Sequence, residues 1–152
     1  MKNSILLSLF LLFSGTAPVI NTAKHAQAGG HNNDAPAAAA ASIHAFWQKF
    51  KAAVTSGKKA AVSNLSGFPI QMSYGIKSVK AAAELQRRFH EVFNEQSDAA
   101  RCFAKKQPEL DPANRKRFTV ACPNDAGEEV VIYEFALTRK GWKFVALDNI
   151  NE

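Results

Sequence analysis

Glu129-Val130-Val131-Ile132-Tyr133-Glu134-Phe135-Ala136-Leu137, then Arg139-Lys140-Gly141, then Trp142 to Ile150: this stretch decides the fold. Two apolar-rich runs flank a short turn that contains glycine, which is the pattern of an antiparallel hairpin. In the second run Trp142, Phe144, Ala146 and Ile150 alternate with Lys143, Val145, Leu147 and Asn149. Apolar side chains on both faces predict a central strand, partly covered on each side.

Two more turns lie upstream. Pro123-Asn124-Asp125-Ala126-Gly127 is one, and Leu110-Asp111-Pro112-Ala113-Asn114 is the other. Folding the chain about Pro112 places position 102 opposite position 122, and both are cysteines. Directly opposed strand residues lie close enough for a disulfide. A Cys102–Cys122 bridge is therefore expected, with two buried free thiols as the alternative. Three hairpins give a four-strand antiparallel meander.

The first half reads as helix. Ile43, Phe46, Trp47, Phe50 and Val54 make one apolar stripe from about Ser42, and Ser56-Gly57 ends it. The alanine run before Ser42 can extend this helix back to Asp34. A second, shorter helix covers Lys58 to Leu65, with Ala61, Val62 and Leu65 facing in. Phe68, Ile70, Met72 and Tyr74 then alternate as in an edge strand, since the residue before a proline avoids helix. Ser78 can cap a third helix whose apolar face is Val79, Ala82, Leu85, Phe89, Val92 and Phe93. Three N-terminal helices on one face of an antiparallel sheet define an α+β fold.

Phe46-Trp47-Gln48-Lys49-Phe50, Gly57-Lys58-Lys59-Ala60-Ala61-Val62, Phe68-Pro69-Ile70 and Gly141-Trp142-Lys143-Phe144-Val145 carry a resemblance. Together they resemble the nuclear transport factor 2-like (SnoaL-like) superfamily over residues 43–152, and within it small exported proteins of unknown function. The resemblance implies a cone-like, cystatin-like architecture, with a curved sheet wrapped around the helices. These are packing motifs and imply little about activity. Enzymatic members carry an Asp/His or Tyr/Asp pair inside the cone, and no matching pair is legible in this chain.

Lys2 followed by the apolar run Ile5 to Phe13 and Ser14-Gly15 reads as a signal peptide. The run is too short to span a bilayer, which takes about 20 apolar residues. A buried N-terminal helix or a membrane anchor is the other reading. Ala26-Gln27-Ala28 offers an A-x-A cleavage site, giving residues 1–28 as signal peptide, 29–42 as a flexible Ala-rich lead-in and 43–152 as one domain. Export to the periplasm or beyond is the expectation. Residues 29–152 hold 17 Lys+Arg and 13 Asp+Glu, a net charge of +4. That is too little, and too dispersed, for a nucleic-acid footprint. Arg115-Lys116-Arg117, the only tight cluster, reads as a solvated turn.

Few residues suggest chemistry. His90 lies beside the apolar stripe of the third helix and is the candidate acid–base, with Tyr74 as a second; His44 reads as exposed. Met72, Tyr74, His90, Tyr133 and Trp142 are candidate pocket-lining residues, and Asp148-Asn149 is either a polar strand end or a pocket floor. Phosphate-loop, nucleophile-elbow and zinc-helix motifs are absent from the sequence, and no cofactor is expected. Cleavage after Ala28 would leave Gly29-Gly30-His31 as a new N-terminus, whose nitrogens suit Cu(II) or Ni(II); a plain linker containing one histidine is the alternative. The leading expectation is a non-enzymatic binding or accessory module with a small-molecule pocket between helices and sheet. A small isomerase, dehydratase or hydrolase, and a module that dimerises through the open sheet face, are the rivals.

Overall fold

The computed structural model describes residues 34–150, Asp125 excepted. The expected signal peptide, its cleavage site and Gly29-Gly30-His31 lie outside the described residues. The elements in chain order are α1 (Asp34–Thr55), α2 (Lys59–Asn64), β1 (Ser66–Met72), β2 (Ser78–Val79), α3 (Ala82–Arg87), α4 (Phe89–Asn94) and α5 (Ala99–Lys105). Strands β3 (Glu109–Leu110), β4 (Arg117–Pro123), β5 (Glu129–Thr138) and β6 (Gly141–Asn149) complete the fold. It is α+β, as expected, but its helices are not three N-terminal ones. No helix among the described residues is long and apolar enough to cross a membrane.

Helix α1 takes the longer of its two legible starts, so the alanine run is helical. Its stripe is buried as the period requires: Ile43, Phe46, Trp47, Phe50, Ala53 and Val54 all lie in the core. The expected third helix begins later than Ser78 and is interrupted. Ser78 and Val79 instead form β2, which pairs with Gln71 and Ile70 of β1. The helix then breaks at Arg88, whose ψ of 16° departs from helical geometry. The i→i−4 ladder still passes through this residue, with Arg88 N–H donating to Glu84 and Val92 N–H donating to Arg88.

The sheet has the order β2-β1-β6-β5-β4-β3. It is mixed, not antiparallel throughout, because β1 runs parallel to β6. β1 is consequently an inner strand, and the two-residue β2 forms that edge. β6 is central, as its two-faced apolar pattern predicted. The faces of β6 need a correction, however. The register steps from Phe135↔Phe144 to Glu134↔Ala146, which leaves Val145 as an extra residue. Such a bulge shifts alternation by one position. Leu147 and Asn149 therefore face inward with Trp142 and Phe144, while Ile150 is exposed.

The segment around Cys102 also differs from expectation. It forms helix α5, not the first strand of a hairpin. Asp98 caps it, its carboxylate accepting from Arg101 N–H at 2.9 Å. Ala99, Cys102 and Phe103 fall at i, i+3 and i+4 and are buried together. The observed hairpin is centred on Asn114, with Glu109↔Thr119 and Leu110↔Phe118. Position 102 is thus not paired with position 122 across strands. The disulfide is present all the same, linking α5 to β4 with Cα atoms 5.7 Å apart.

Rings from α4, α5, β5 and β6 meet Phe50 of α1. Its ring lies 5.0 Å from Phe135, 5.6 Å from Phe144, 5.9 Å from Phe46, 6.1 Å from Phe103 and 6.2 Å from Phe93, centroid to centroid. Separations of this size suit edge-to-face and offset contacts. The disulfide fastens the helix that supplies Phe103 to the sheet that supplies Phe118 and Phe135. Replacing both cysteines with alanine removes a cross-link between residues 20 apart in sequence. In the chain-entropy model this lowers unfolding free energy by about 3 kcal/mol, to be read from urea unfolding. An unchanged midpoint would show that α5 is held by packing alone.

Candidate functional site

The five candidate pocket-lining residues line none of the three surface depressions described below. Met72 closes the inner face of β1 and is buried. Trp142 is buried near the opposite end of the sheet, donates from Nε1 to Ser42 Oγ at 3.2 Å, and packs on Phe118 at 5.1 Å. His90 is exposed on α4, as is His44 on α1. Among the described residues no carboxylate pairs with either histidine.

Tyr74 and Tyr133 do come together. Tyr133 is fully enclosed, and its hydroxyl donates to the Val92 carbonyl at 3.3 Å and lies 3.4 Å from Ser97 Oγ. Burial pushes its phenol well above the usual value of 10; the Ser97 hydrogen bond opposes this, and nearby Tyr74 and Asp98 add to it. Next to this pair, Asn149 N–H donates to Ser73 Oγ at 2.7 Å, and Asn149 Nδ2 donates to Gln96 Oε1 at 2.7 Å. The result is a partly buried polar cluster that ties the 95–98 loop to the sheet, with Tyr133, Ser97 and Asn149 buried, Gln96 half-buried and Ser73 exposed. Of its members, sequence reading singled out the tyrosines and Asn149. Ser73, Gln96 and Ser97 were missed because a lone polar residue in a loop carries no periodic signal. Asp148, by contrast, lies on the outer side of β6, opposite Ile132.

The concave surfaces lie elsewhere. One depression of about 260 Å³ sits beside the disulfide, between Arg101 and Lys105 of α5 and Asn124 of the β4–β5 turn. A second, of about 270 Å³, lies between Ile43 and Leu110. The third, of about 400 Å³, is a groove between α1 and α2. None of the five candidates lines any of these three. No group of three or more His, Cys, Asp or Glu among the described residues could hold a metal ion. The basic cluster Arg115-Lys116-Arg117 is an exposed turn and strand start, where Arg117 pairs with Glu134 at 2.9 Å.

No family model matches the chain. No curated protein sequence matches it either. Solved structures similar to it include an NTF2-like protein with a cystatin-like fold from Novosphingobium aromaticivorans, at 15% identity over 79% of this chain and 90% of that one, with a TM-score of 0.45. A domain of unknown function with a cystatin-like fold from Nostoc punctiforme is 16% identical over 76% and 78% of the two chains, with a TM-score of 0.43. A protein of unknown function from the DUF3225 family, from Pectobacterium atrosepticum, is 11% identical over 73% and 88%, with a TM-score of 0.42. The names NTF2-like and cystatin-like are those the sequence resemblance had suggested.

The Tyr133 environment has a measurable consequence. Above the usual tyrosine value of 10 the unfolded phenol loses its proton while the native one keeps it. Stability contributed by Tyr133 is then complete below that pH and declines as pH rises beyond it. Relative to Tyr133→Phe, the parent protein should lose about 1.4 kcal/mol per pH unit above about pH 10, by urea unfolding. Parallel pH profiles for the two proteins would refute this placement of the phenol.

Proposed function

We propose that this protein is an exported, non-enzymatic binding module that meets its partner on its outer surface. One observation carries the reading: the space between the helices and the sheet is taken by the chain's own rings. Phe93, Phe103, Phe135 and Phe144 are fully buried and each packs against the fully buried Phe50, where a ligand would otherwise lie. The reading thus keeps the expected binding role and gives up the interior pocket. It is supported by the chemistry of the polar cluster, whose central hydroxyl is committed to a backbone carbonyl and held neutral. The Cys102–Cys122 disulfide suits an oxidising compartment and supports export.

A second reading is a homodimer through the outer sheet face. Ala121, Ile132, Ala136, Val145 and Ala146 are only partly exposed there, and Arg117 and Glu134 pair beside them. An isologous contact needs a self-complementary patch of this sort.

Native mass spectrometry of protein purified from its exporting host tests both readings. The expected result is a chain that begins at Gly29, carries no small molecule and has an intact disulfide. A retained apolar ligand would overturn the surface-binding reading. A monomer at high concentration would remove the dimer.

A further inference from the structure

Charge is unevenly distributed along this chain. Residues 35–83 contain six lysines and no Asp or Glu. That carboxylate-free segment forms most of α1, all of α2, and strands β1 and β2. The groove between α1 and α2 is cut into it. Ala52, Ala53, Ala61 and Leu65 make an apolar floor, and Lys49 and Lys58 stand on the rim. A third ammonium, that of Lys143 on β6, reaches the same wall and donates to the Asn64 carbonyl at 2.6 Å. Among the described residues neither Lys49 nor Lys58 has an ion-pair partner. The nearest acidic helix, α3, turns its Glu84 toward Arg88 and the Lys80 N–H instead.

The depression beside the disulfide is different. Arg101 and Lys105 line it, but so does Asp98, and Glu128 is bound to Asn124 on its far wall. Its field is mixed. The α1–α2 groove alone joins an apolar floor to cations of one sign.

Resting on the surface-binding reading above, we infer that the α1–α2 groove docks an acidic amphipathic helix of a partner protein. The small side chains of the floor allow a third helix to approach closely, in the manner of ridge-and-groove packing. Apolar anchors would lie along the floor and glutamates or aspartates would meet Lys49 and Lys58, which is the helix-in-groove mode with charges setting orientation. A lipid surface fits less well, because membrane seating needs apolar side chains that protrude. Among the described residues the exposed large apolar ones are Leu110, Leu137 and Ile150, and none belongs to α1, α2 or β1.

The test uses the mature protein and a fluorescein-labelled synthetic helix with a leucine stripe flanked by glutamates. Anisotropy should show saturable binding that weakens as salt rises from about 0.05 to about 0.5 M. Amide shifts should be confined to residues 49–65. The pair Lys49→Glu with Lys58→Glu should weaken binding at least ~10-fold. Ala52→Trp, which fills the groove at an exposed position without changing charge, should weaken it similarly. A peptide with lysines in place of glutamates should not bind. Undiminished binding by Ala52→Trp would reduce the effect to general charge attraction and overturn the inference. So would shifts outside the groove, or binding to phosphatidylglycerol vesicles with the peptide ignored. A protein that carries no ligand yet ignores the peptide would sink this inference while leaving the module reading intact.

Discussion

Everything else in the structure is arranged around the packing of Phe50. Its ring is completely buried on α1 and is bounded by rings from α4, α5, β5 and β6. Each of these elements has its own reason to form, and this contact joins four of them to α1 at one point. Interiors are packed to the density of organic crystals, so a ring of this size leaves no room beside it for a guest. Loss of the ring would open a cavity in the middle of the layer. Large-to-small changes of a core Phe usually cost about 3–5 kcal/mol.

That one constraint also shapes where function can reside. A sheet packed on helices offers the space between the two layers first as a binding site. Here Trp47, Phe50, Phe93, Phe103, Tyr133, Phe135 and Phe144 occupy that space themselves. Polar groups beside this core are held in the Tyr133–Ser97 and Asn149–Gln96 contacts. Surface relief is left mainly to the helices, where the lysine-rich, carboxylate-free segment supplies a field of one sign.

Local features were legible in the sequence and nonlocal ones were not. The α1 stripe and the β5–β6 hairpin follow from spacing alone, and both are present, although beyond Val145 the faces of β6 are not those that simple alternation gives. Helix α5 was mistaken for a strand because the apolar positions Ala99, Cys102 and Phe103 are few, and the Asp98 cap was overlooked. The disulfide was right for the wrong geometry: 102 and 122 are brought together by a helix crossing a strand. Parallel pairing of β1 with β6 joins segments more than 70 residues apart, as in Ser66↔Phe144, and no short-range pattern encodes it. The bulge at Val145 turned Leu147 inward against simple alternation. As for the site, aromatic residues inside a cone look alike in sequence whether they line a pocket or fill it. Only the ring-to-ring distances separate the two.

Xenon-pressurised crystals would test the filled interior most directly, since xenon enters apolar cavities that a side chain does not occupy. The account predicts no xenon site among the rings of Phe50, Phe103, Phe135 and Phe144. An ordered xenon atom between those rings would contradict it and return the binding site to the space between helices and sheet.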